Sequence, residues 1–141
     1  MSDSRPAIDA ATMKRLQDAA LKAAENAYAP YSKFRVGAAL LFDDGFMATG
    51  CNIENMSYGM TICAERSALS SAISERGAEH KIVAIAVTNL NSAASPPCGA
   101  CRQVLSEFAA PDAVVSFPGE DGLELRPFRE VFPFVFHLEA Q

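Results

Sequence analysis

The run KIVAIAVT at residues 81–88 carries β-branched and apolar residues on both of its faces. A strand with one face in water alternates apolar with polar residues, whereas a strand without that alternation is covered above and below. This segment is therefore expected at the centre of a sheet, and the rest of the chain has to supply helices for both sides of it.

The flanking sequence contains candidates. Over residues 8–29, Ile8, Met13, Leu16, Ala20, Leu21, Ala24 and Ala27 recur at roughly helical spacing, opposed by Lys14, Asp18, Lys22 and Glu25. That pattern predicts an amphipathic helix, ended by Pro30. Residues 34–42 are almost continuously apolar, Asp43-Asp44-Gly45 is a turn signal, and residues 46–51 resume as a strand, so a hairpin is expected. A loop over 50–59 follows. Residues 63–76 suit a helix closed by Gly77, 89–97 a loop, 98–108 a short helix, 113–117 a fourth strand and 123–126 a fifth. Alternating helices and strands after the hairpin predict an α/β fold, with a mixed five-stranded sheet and helices on both faces. At 141 residues, half of them hydrophobic, the chain is expected to form one domain over 1–141.

Composition excludes several classes of partner. The net charge of −5 provides no basic surface for nucleic acid. No apolar run approaches the roughly 20 residues of a membrane span, and the opening MSDSRPAIDA lacks the layout of a signal peptide, so the expected address is cytoplasmic. In a reducing compartment the four cysteines read as thiols or metal ligands rather than as disulfides.

Cys98-Gly99-Ala100-Cys101 is a CxxC pair, which alone fits either a redox dithiol or half of a metal site. Cys63 favours the metal, because it adds a third thiol followed two residues later by the carboxylate of Glu65. Catalytic zinc takes three protein ligands and keeps its fourth position open, which matches three thiols with no further obvious ligand. Both cysteine clusters fall at expected helix N-termini, where unpaired N–H groups and the helix dipole favour thiolates. Three thiolates around a divalent cation remain net negative and need a nearby cation, for which Arg66 is the candidate.

Cys63-Ala64-Glu65-Arg66 together with Pro97-Cys98-Gly99-Ala100-Cys101-Arg102-Gln103 resembles the paired elements of the zinc deaminases, in the three-cysteine form of the small homotetrameric cytidine deaminases. The resemblance runs from Tyr31 to about Phe136. It implies the cytidine deaminase-like three-layer α/β/α fold and one Zn2+ per subunit on Cys63, Cys98 and Cys101. It also implies hydrolytic deamination of cytidine and 2′-deoxycytidine in pyrimidine salvage. Zinc-bound hydroxide would attack C4, with Glu65 shuttling protons and backbone groups at Ala64 and near Pro97 orienting the base. The loop Gly50-Cys51-Asn52-Ile53-Glu54-Asn55 resembles the family's ribose-binding segment. Asn52 and Glu54 alternate along it and can share one sugar hydroxyl, with a buried carboxylate rejecting analogues that lack the group. Phe34 matches the aromatic lining of the base pocket. Tyr58 and Phe136 match positions that reach a neighbouring subunit's site, which implies a homotetramer with shared active sites; Phe132 and Phe134 depart from the family's pattern around the latter.

Competing readings are weaker. Ordinary buried thiols would not explain the joint spacing with Glu65 and Pro97, and a structural zinc site would need a fourth ligand. Deamination within a polynucleotide conflicts with the acidic charge, and an aminopyrimidine antibiotic substrate with the 52–55 loop. Arg66 could instead pair with Glu75 on the surface. Cys51 reads as a small buried thiol, and His80 and His137 as surface or core residues rather than ligands.

Overall fold

The structure is a computed structural model and describes residues 7–136 and 138. His137 lies outside the described residues. Five strands form one sheet: β1 (Val36–Phe42), β2 (Met47–Cys51), β3 (Ile82–Asn89), β4 (Ala109–Gly119) and β5 (Gly122–Pro127). They lie side by side in the order β2-β1-β3-β4-β5, with β3 and β4 parallel and the other neighbours antiparallel. The strand expected at the centre is there, buried over almost its whole length.

Among the described residues, helix α1 (Ala10–Ala24) alone covers one face, laying Met13, Leu16 and Ala20 on Ala39, Leu41, Val83 and Ala86. Helices α2 (Ala64–Arg76), α3 (Gly99–Ser106) and α4 (Phe128–Val131) cover the other, burying Ala68, Leu69, Leu105 and Phe128 against Leu40, Ile85 and Val115. The α/β architecture with helices on both faces is thus the one the apolar run demanded. Small residues let the layers close. A Cβ on Gly37 would stand 1.9 Å from the Ala20 carbonyl oxygen, and one on Gly50 2.4 Å from the Ala68 nitrogen, so backbone rests on backbone at both places.

Boundaries moved where tertiary pairing overrode local pattern. Asp9 caps α1 through a 2.8 Å bond from the Thr12 N–H, but the helix ends at Ala24 and not at Pro30. Tyr28 leaves it to pair with the loop after β2, donating to Asn52 O and accepting from Glu54 N. Strand β1 starts at Val36, and Phe34 and Arg35 belong to the irregular stretch that follows the turn at 30–32. Strand β4 is longer than the expected 113–117 because the register jumps from Ala109 opposite Ile82 to Val114 opposite Ala84. The extra residues bulge out around Pro111, which has no N–H for a ladder. Helix α4 has too few residues to show periodicity.

Candidate active site

Helices α2 and α3 bring their N-termini together, with Cys63 as N-cap of the first and Cys98 as N-cap of the second. Cys101, in the first turn of α3, completes the group: the three sulfurs lie within 4.8 Å of one another. Cys63 Sγ is 3.9 Å from Cys98 Sγ, which is 3.2 Å from Cys101 Sγ. Sulfurs each about 2.3 Å from a tetrahedral zinc are about 3.8 Å apart, so the donor set and its spacing fit that metal. Cys51 is not in the group, and it is half-buried rather than buried. A second trio, Asp43, Asp44 and His80, sits at the hairpin turn, but its groups are already paired with one another and with Arg76.

The electrostatics follow from crowding sulfur at two helix N-termini. The hydrogen bond from Cys101 chiefly, and then those of Arg66 and Cys98, lower the Cys63 thiol to about 5. Cys101 is pushed up by the same shared bond and by burial. Arg66 Nη2 donates to Cys63 Sγ at 3.4 Å, the contact charge compensation requires, while its buried Nε has no hydrogen-bond partner among the described residues. No pairing with Glu75 is needed to explain Arg66. Glu65, one residue before it, is 3 % exposed. Burial first, and the neighbouring Cys63 charge next, raise its carboxyl above the usual carboxylate range.

Cys63, Glu65 and Cys98 face a cavity of about 220 Å³, whereas Cys101 and Arg66 are not part of its lining. Ala64, Glu65, Cys63 and Cys98 line it together with Phe34 and Asn52. Sequence reasoning missed Val36, Thr61, Val87, Ser95 and Pro96, which also line it. The one signal for them was position: Thr61 two residues before Cys63, and Ser95 and Pro96 directly before Pro97-Cys98. Pro97 itself is buried, its carbonyl taken by Arg102 Nε at 2.7 Å.

Asn52 and Glu54 both turn toward the segment that carries Phe34. Asn52 Nδ2 donates to Phe34 O at 2.8 Å, and its Oδ1 accepts from Val36 N at 2.9 Å. Glu54 is half-buried, not buried as expected, and does not line the cavity. It accepts from the N–H groups of Tyr31 and Ser32 and from the Ser32 hydroxyl. That hydroxyl is the main reason its carboxyl sits below the ordinary range. Tyr58 and Phe136 are 80 % and 66 % exposed and do not line the cavity of their own chain.

Residues 10–117 match the family described as "Cytidine and deoxycytidylate deaminase zinc-binding region". The chain belongs to that family. Zinc is accordingly the metal for which the sulfur cluster is built. Among its relatives, a cytidine deaminase of Halalkalibacterium halodurans is 54% identical over 96 residues, 68% of this chain and 71% of the relative. One of Mycobacterium tuberculosis is 40% identical over 126 residues, 88% and 89% of the two chains. The crystal structure of a cytidine deaminase from Burkholderia pseudomallei superposes with a TM-score of 0.79 at 42% identity, covering 87% of this chain and 98% of the other.

Proposed function

We propose that the chain is a cytidine deaminase that hydrolyses cytidine and 2′-deoxycytidine to uridine and 2′-deoxyuridine, releasing ammonia. The observation that carries this reading is the buried Glu65 carboxyl, raised in pKa, in the wall of a small cavity beside a cluster of three sulfurs, two of whose cysteines also line it. Cys63, Cys98 and Cys101 would hold one zinc per subunit, which supplies the Lewis acidity that makes a water nucleophilic at neutral pH. Arg66 offsets the excess negative charge of the thiolates.

Glu65 moves the protons. Its carboxylate takes one from the attacking water and passes it to pyrimidine N3 as oxygen adds at C4. It then passes the remaining hydroxyl proton to the exocyclic amine, and the C4–N4 bond breaks to release ammonia. A carboxyl whose pKa is raised by burial takes up a proton more readily than an exposed one, which suits the first half of that shuttle. Phe34 stacks on the base, and backbone groups at Ala64 orient it. Asn52 and Glu54 form the sugar-binding loop. Recognition through the 3′-hydroxyl, common to both nucleosides, is why both are substrates.

Tyr58 and Phe136, exposed on a lone chain, complete the site of a neighbouring subunit in a homotetramer. The whole chain acts as one domain, in the cytoplasm, in pyrimidine salvage. Zinc analysis paired with the ultraviolet change on cytidine tests the reading. Glu65→Ala is expected to keep zinc and fold and to lose at least about 10³-fold in kcat; near-normal turnover in that variant would end the assignment. Turnover of a single-stranded oligonucleotide with none on free cytidine would move the chemistry to a polynucleotide.

A further inference from the structure

We propose that Asn91 is the positioning residue for the aromatic wall of the cavity, fixing Phe34 through both ends of its side-chain amide. The inference rests on the nucleoside reading of that cavity. Phe34 lies in the connection between α1 and β1, and Lys33, just before it, has φ 63°, a left-handed conformation that L side chains rarely adopt. Lys33 N donates to Ala29 O at 3.0 Å, Phe34 N to Ser32 Oγ at 2.9 Å, and Asn52 Nδ2 to Phe34 O at 2.8 Å, which leaves Lys33 O and Arg35 N–H to be held from farther along the chain.

Asn91 holds both across a large sequence separation. Its Nδ2 donates to Lys33 O at 2.9 Å and its Oδ1 accepts from Arg35 N at 3.0 Å, so one planar amide grips the peptide groups before and after Phe34. Lys33 O can only accept and Arg35 N–H can only donate; among uncharged side chains, a primary amide answers both in one orientation. Asn91 is itself locked. Asn89, buried at the end of β3, accepts from the N–H groups of Asn91 and Ala93 and donates to Ala93 O. Leu90 N adds a backbone bond to Arg35 O at 3.0 Å.

The central strand is thereby connected to the ring through a short polar chain, from Asn89 to Asn91 to the peptides around Phe34. The same loop goes on to Ser95 and Pro96, so Asn91 couples two segments that line the cavity. Ring contacts fall off over fractions of an ångström, which makes the placement of Phe34 a determinant of base binding. These bonds lie at the surface and add little to global stability. Their effect is local.

The test is Asn91→Ala in the zinc-loaded enzyme, with and without Lys33→Gly. Loss of ring placement is expected to raise the KM for cytidine about tenfold while kcat stays within about threefold. Zinc content and unfolding midpoint should be unchanged, and hydrogen exchange at the Arg35 amide faster. Glycine tolerates positive φ, so Lys33→Gly lets the turn hold its own shape and should bring the KM of the double variant back to within about threefold of wild type. Asn91→Asp keeps the acceptor for Arg35 and loses the donor to Lys33; it should have an intermediate KM, and it serves if the alanine variant does not fold. An unchanged KM in Asn91→Ala, or a raised one that Lys33→Gly leaves untouched, overturns the proposal. A wild-type protein inert toward cytidine would instead overturn the nucleoside reading, while Arg35 exchange still reports whether Asn91 clamps the turn.

Discussion

Arg66 is the proposed counter-charge of the sulfur cluster, although it is not one of the three proposed ligands. Its half-buried guanidinium reaches Cys63 Sγ, and the sulfur in turn raises the arginine's own pKa. Partners of ligands tune affinity by about 10–100-fold, so Arg66→Gln is expected to weaken zinc binding by that order in competition with a chelator; an unchanged affinity would show the contact to be incidental. At this scale the cysteines and Glu65 were legible because their chemistry demands fixed residue types at fixed spacing. Thr61 and Ser95 were not, since a hydroxyl fits almost anywhere on a surface. Asn91 was hidden for a different reason: its partners are Lys33 and Arg35, and nothing local reveals an amide that works across two loops. Asn52, singled out for a sugar, also bonds the backbone of Phe34 and Val36, which still leaves its amide one N–H and one lone pair for a ligand.

The helices owe their usefulness to where they begin. Cys63 and Cys98 are extended at the caps and their neighbours helical, so the sulfurs sit where N–H dipoles converge. The hairpin that precedes α2 is pinned at its turn by Asp44, which Arg76 from the far end of α2 holds at a pKa of about 2. A carboxyl depressed below its unfolded value stabilises the fold fully above about pH 4, and the contribution fades as pH falls toward 2. Asp44→Asn should therefore be less stable than wild type in urea at pH 6, with the gap closing near pH 2. Metal loss at acid pH affects both proteins alike and cancels in the difference; a gap that persists at pH 2 would contradict the pairing. Strands and helices with clear periodicity were readable in the sequence. The early end of α1 and the bulge at Pro111 were not, because each answers to a partner far along the chain, and α4 was not because four residues show no period.

On the scale of the whole molecule, the mixed five-stranded sheet with its central apolar strand followed from the pattern of elements, whereas the strand order is seen only in the structure. What a single chain does not explain is its own surface. Met56, Tyr58, Met60, Phe134 and Phe136 are largely exposed, and methionine and aromatic side chains are the kinds enriched in protein interfaces. The proposed homotetramer would cover them. Sedimentation should give four times the chain mass, and Tyr58→Glu should lower both that mass and the turnover; a fully active monomer would contradict shared sites. The central claim is more direct, that three cysteines hold zinc and leave one position open. X-ray absorption at the zinc edge of the purified protein is expected to show three sulfurs at about 2.3 Å and one oxygen at about 2.0 Å. Four sulfurs around the metal, or protein that deaminates cytidine without zinc, would contradict it.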